Sequence, residues 1–180
     1  MKRLILPVIL LSALLGGCGK GVEADIGNNL LYSHSEPLMH EMEGVLLEMS
    51  YEVSELQNLS EIEKKNEIKK GSVNVAGYLT LRNGTESTIY YTPSFFAETS
   101  TGQRFGNIAE QLVKSDGKAQ FTLEKGEELQ FRIAFNLSKS VYKLVDTLEV
   151  TVPVAFKEPN SVSSGDALGD TTIWELPIKE

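Results

Sequence analysis

The chain has 180 residues, with 17 basic and 25 acidic side chains, two histidines and one cysteine, for a net charge of −8. So acidic a surface argues against nucleic acid and against electrostatic attraction to anionic lipid, since both need positive charge. With one cysteine no internal disulfide can form, so the core must be held by packing alone.

The chain opens with Met1-Lys2-Arg3, a short positive stretch, and continues in an almost unbroken apolar run from Leu4 to Leu15. Gly16-Gly17 then places small residues directly ahead of Cys18. That order is a secretory signal, too short and wrongly flanked to be a spanning helix. The tetrad Leu15-Gly16-Gly17-Cys18 resembles the lipobox of bacterial lipoproteins. The resemblance implies that the Cys18 thiol receives a diacylglycerol and that a signal peptidase removes residues 1–17. It also implies a place on the extracytoplasmic face of the cell membrane, with the membrane as partner through the anchor. Two acyl chains suffice for stable anchoring, each buried CH2 contributing about 0.8 kcal/mol. Loss of Lys2 and Arg3 leaves 15 basic against 25 acidic residues, a net of −10.

Gly19 to Asn29 is glycine-rich and polar, and together with Cys18 it reads as a lipidated tether (residues 18–29) ahead of one domain, 30–180. Leu30 to Glu43 has no clean period and contains Pro37; it reads as an irregular lead-in with room for a short edge strand. Val45 to Val53 alternates strictly, the period of a half-buried strand. Glu55 to Lys70 is charged and predicts either a short surface helix, with Ser60-x-x-Glu63 as a capping box, or a long polar loop.

From Ser72 the pattern is all β. Val73 to Leu81 alternates up to the turn signal Asn83-Gly84, Thr88 to Thr92 is β-branched and aromatic, and Pro93 ends it. Phe95-Phe96, Arg104-Phe105 and Gln120 to Leu123 follow between turns. Leu129 to Leu137 and Thr147 to Phe156 each put an apolar row on one face, and Pro153 marks the second as an edge strand or a bulged one. Glu158 to Asp170 is turn-rich, and Thr171 to Ile178 is a last strand. The expected core includes Val75, Leu79, Phe131, Ile133, Phe135, Val150 and Val152. Such short, evenly spaced strands point to an antiparallel sandwich or barrel.

Three segments carry a second resemblance: Asn83 to Phe96, Thr101 to Phe105, and Leu123-Glu124-Lys125-Gly126-Glu127-Glu128 ahead of Phe131 to Phe135. Their cadence is similar to immunoglobulin-like extracytoplasmic domains of unknown function, common in Gram-positive lipoproteins. It covers roughly residues 44–156 and implies an all-β, immunoglobulin-like antiparallel β-sandwich, with no catalytic residues to carry over.

Little chemistry stands out. Both histidines lie in the lead-in, a poor place to hold a Ser/His/Asp triad, and no phosphate-cradling glycine loop appears. Every methionine and histidine after the leader falls between positions 34 and 49: His34, Met39, His40, Met42 and Met49. Thioether and imidazole together suit Cu(I), and Met39-His40-x-Met42 resembles the His-x-Met spacing of extracytoplasmic copper carriers. The plainer assignment makes Met42 and Met49 core fillers and leaves the histidines solvated. Asp166 and Asp170 lack the fixed spacing of a calcium loop. The residues therefore predict a non-enzymatic binding module with no cofactor, whose partner is a protein or envelope component. A copper site at His34, Met39, His40 and Met42 comes second, and a cell-envelope hydrolase third.

Overall fold

The computed structural model describes residues 28–59, 61–65, 67–106 and 120–180. The leader, Cys18, the tether as far as Gly27 and Ser60 of the expected capping box lie outside the described residues.

In chain order the first elements are β1 (Asn29–Ser33), β2 (Leu38–Met42), β3 (Val45–Glu55), α1 (Glu61–Lys65) and β4 (Val73–Asn83). Next come β5 (Ile89–Tyr91), β6 (Phe96–Glu98), β7 (Arg104–Gly106), β8 (Phe121–Leu123) and β9 (Glu128–Leu137). The chain finishes with α2 (Lys139–Leu144), β10 (Thr147–Val152), β11 (Ala155–Phe156), β12 (Ala167–Leu168) and β13 (Thr172–Pro177). Every strand pair among the described residues is antiparallel. The protein is an all-β antiparallel sandwich, and α1 is the short helix expected in the charged excursion.

One layer is built from β1 and β2 on one edge of β3, then β4, then β9. Strict alternation sends the odd-numbered residues of β3, β4 and β9 inward, and the register aligns them in rows. Val53 faces Val75 and then Phe135, Met49 faces Leu79 and then Phe131, and Tyr51 faces Gly77 and then Ile133. A one-residue slip would turn every row to solvent, so the pattern pins the register. Gly77 is required: a Cβ there would collide with the Ser50 carbonyl oxygen and sit 2.9 Å from the Tyr51 Cβ.

The opposite layer is broken into two four-stranded sheets, β13-β10-β6-β7 and β12-β11-β5-β8. Two chain segments cross from one sheet to the other, β5 to β6 through Pro93 and β10 to β11 through Pro153. Because β6 pairs with β10 and β5 with β11, these are two halves of one ribbon, interrupted on both strands at a proline. Proline has no N–H for the ladder, so the pairing stops there. This corrects the expectation for residues 147–156. They form two strands rather than one, and β10 is no edge strand, since β13 and β6 flank it.

In the interruption the Ser94 N–H donates to the Thr92 carbonyl, and the next residue, Phe95, is buried. Its ring meets Phe131 at 5.8 Å between centroids, while Tyr91 meets the same ring at 6.1 Å. These contacts join the layers. All seven residues expected in the core are 4 % exposed or less, so alternation by itself marks the interface between the layers. The lead-in is more regular than expected, forming both β1 and β2. Helix α2 was not anticipated; its one local signal is Ser138, whose Oγ accepts from the Val141 N–H as an N-cap.

Candidate functional site

The residues singled out for chemistry lie on the β1–β2 edge. Strand β1 runs along Glu52–Glu55 of β3 and β2 along Val45–Met49. His40 lies opposite Leu47, Met42 opposite Val45 and Leu38 opposite Met49, so all three share the inward face. Met39, opposite Glu48, takes the other face and is 59 % exposed. Thus His40 and Met42 are brought together, with Met49 diagonal to His40, while Met39 is turned away. Met42 and Met49 are buried, and the Nε2 of His40 is buried without a hydrogen-bond partner among the described residues.

His34 sits apart, just past β1. Its ring stacks on Tyr51 at 5.2 Å, and its Nδ1 is 3.1 Å from the Tyr32 hydroxyl. The Tyr51 hydroxyl donates to the Pro177 carbonyl at 2.7 Å, which ties the first layer to the end of β13. Burial, reinforced by Tyr32, pushes the Tyr51 hydroxyl well above the ordinary phenol range, so it stays a donor at neutral pH. Among the described residues no three His, Cys, Asp or Glu side chains gather to hold a metal ion. Asp166 accepts instead from the Ser161 hydroxyl at 2.7 Å.

The outer face of the second layer carries an arrangement that sequence reading missed. Glu175 faces Glu149, Glu149 faces Glu98, and Glu98 faces Arg104, a row across four strands. The last pair is compensated by an Arg104–Glu98 ion pair at 2.6 Å, with Arg104 also 5.4 Å over the Phe96 ring. Like charges directly opposite one another are destabilising. The strand order 13-10-6-7 is not sequential, so no local signal reveals the row.

With this geometry the molecule is defined as an antiparallel β-sandwich with a histidine- and methionine-bearing edge. The chain belongs to the family described as Domain of unknown function (DUF5068), whose pattern matches residues 22–179. In fold it is similar to a functionally unknown protein from Listeria monocytogenes EGD-e. The TM-score is 0.61 at 13% identity, over 84% of this chain and 88% of that one. The yjhA protein from Bacillus subtilis is similar at TM-score 0.49 and 12% identity, over 79% and 96% of the two chains. A conserved hypothetical protein from Bacillus anthracis follows at TM-score 0.47 and 12% identity, over 83% and 98%. No curated protein matches the chain.

Proposed function

We propose that the protein is an extracytoplasmic lipoprotein, anchored through Cys18, whose immunoglobulin-like sandwich is a non-enzymatic module that binds a protein or envelope component. The observation that carries this reading is Leu15-Gly16-Gly17-Cys18, with Cys18 the sole cysteine of the sequence and so committed to no disulfide. The family match beginning at residue 22 supports it, because the domain starts just beyond the cysteine. His34 is engaged by Tyr32 and Tyr51, and His40 is turned toward core side chains, with no hydrogen-bond partner for its Nε2 among the described residues.

Cys18→Ala is expected to release the protein from the membrane fraction or leave it unprocessed. A variant that stays fully processed and membrane-bound would overturn the reading. Crosslinking in cells with and without the gene then identifies the partner.

A second reading, a Cu(I) site, is favoured by one observation: the unpartnered, buried Nε2 of His40 beside two buried thioethers. The ligand set is now His40, Met42 and Met49, soft donors that favour Cu(I) over Zn2+ or Ca2+. A competition titration against a Cu(I) chelator tests it, with His40→Ala as the control. Failure to bind tighter than micromolar removes this reading.

A further inference from the structure

We infer that one end of the sandwich, where β1 begins, is a docking surface for anionic phospholipid headgroups and holds the molecule upright on its membrane. The inference rests on the anchored reading above.

Four strand termini define this end: Asn29 pairs with Glu55, Glu55 with Val73, and Val73 with Leu137. Asn28 lies here too, its Oδ1 accepting from the Gln57 N–H at 2.9 Å. Cys18 is ten residues upstream, a distance of at most about 35 Å even fully extended. The eleven residues of β3 alone span about 36 Å. The end bearing Asn28 can therefore rest on the bilayer with a slack tether, whereas the opposite end reaches it only with the tether drawn to its limit.

The two ends differ in charge. Helix α1 lies between β3 and β4 at the near end, and its Glu61 and Glu63 are balanced by its own Lys64 and Lys65. Beyond it Lys69 and Lys70 precede β4, and the Lys69 carbonyl accepts from the Ser72 N–H at 3.0 Å. Lys139 and Lys143 are on α2, which follows β9 at the same end, and Lys179 follows β13. Two acids here are already neutralised, Glu55 by Lys139 at 2.7 Å and Asp146 by Lys179 at 3.0 Å. Glu67 and Glu180 are the other two carboxylates on these loops beyond the helix among the described residues, so five lysines face four carboxylates there, with Glu149 and Glu175 two pairs further along β10 and β13. Lys69, Lys70 and Lys143 are exposed and make no ion pair among the described residues. Next to Lys143, at the end of α2, Leu144 is 78 % exposed. The far turns instead present the exposed acids Glu43, Glu86, Glu124 and Glu127. Lys157 pairs with Glu43 and Lys125 with Glu86, which among the described residues leaves Glu124 and Glu127 without a lysine partner.

The net charge of −10 after processing therefore conceals a polarity. An anionic surface repels the far end more strongly than the near one, where Lys69, Lys70 and Lys143 are open to headgroup phosphates. Lysines on a tethered body act within a Debye length of the headgroups, where each strengthens contact by about fivefold. Leu144 adds an apolar contact to the interface.

The test uses the full chain, processed and lipidated, in vesicles of phosphatidylcholine alone or doped with phosphatidylglycerol, each containing a headgroup-linked quencher. Because the native cysteine is acylated, Asn58→Cys at the near end and Ser87→Cys at the far end each accept a single fluorescent label. Expected is stronger quenching at position 58 than at 87, rising with phosphatidylglycerol. The contact equilibrium should weaken by about fivefold per lysine removed, bringing the quenching at 58 toward the neutral-vesicle level in Lys69→Gln/Lys70→Gln/Lys143→Gln. Equal quenching at both positions, or quenching at 58 indifferent to lipid charge and to the triple variant, overturns the inference. Flotation with either vesicle reports the anchor separately: a protein that floats with neither fails the anchored reading, whereas one that floats with both but shows no polarity fails only this one.

Discussion

The two layers of the sandwich reach the same burial by different means. In the first, β3 and β4 pair without interruption over eleven residues each and β9 continues the register for ten more pairs. In the second, no strand exceeds six residues, and the ribbon is cut at Pro93 and Pro153. A long alternating strand specifies its own register, because any slip exposes the whole apolar row. A strand of two or three residues specifies almost nothing and is positioned by its neighbours and by what lies across the core.

The largest expected effect probes whether the layers are one cooperative body. Phe135→Ala, at a fully buried site of the continuous layer, should cost about 3–5 kcal/mol. Val152→Ala, at the break in the other layer, should shift the same urea transition by a smaller amount, since less volume is lost. Two resolved transitions would show instead that the broken layer melts by itself.

A smaller effect separates two buried tyrosines, one from each layer. Tyr51 donates to Pro177 across the core, whereas the Tyr91 hydroxyl is buried with no partner among the described residues. Tyr51→Phe should cost about 1 kcal/mol, and Tyr91→Phe should be neutral or stabilising. Burial raises both hydroxyls above the ordinary phenol range. A raised group contributes stability that is present below its unfolded value and lost as pH rises, so stability should fall above about pH 10. Each Phe variant should make that alkaline decline shallower; an unchanged slope would mean the hydroxyls ionise in place.

The smallest effect concerns the break itself. Pro153→Ala should destabilise by only about 0.4–1 kcal/mol, through the greater freedom of the unfolded chain. It should not fuse β10 with β11, because Pro93 still interrupts the partner strand. If amide exchange in this variant showed new protection at Val154, between the two strands, the break would be assigned to Pro153 alone.

Much of this molecule was legible beforehand. Alternation located β3, β4, β9 and β10 and the core residues on them, because a period of two is a local property of the chain. Asn83-Gly84 was legible as a turn, although not its further role: Asn83 is fully buried and its amide bonds Ser87, Leu123 and Thr85 at once. That His40 and Met42 share a face also followed from spacing. That the face is the inner one, with Met49 alongside, did not, since it depends on the pairing of β2 with β3.

By itself the sequence determined the lipobox-like tetrad, the all-β class, the long strands and the absence of an internal disulfide, each a matter of residue type at short spacing. The tertiary structure alone decided which strands meet. It set three glutamates in a row across β13, β10 and β6, split one predicted strand between two sheets, and gathered lysines from positions 69 to 179 at the end where β1 begins. These features join residues far apart in the chain, and no local pattern of charge or hydrophobicity encodes such a meeting before the layers close.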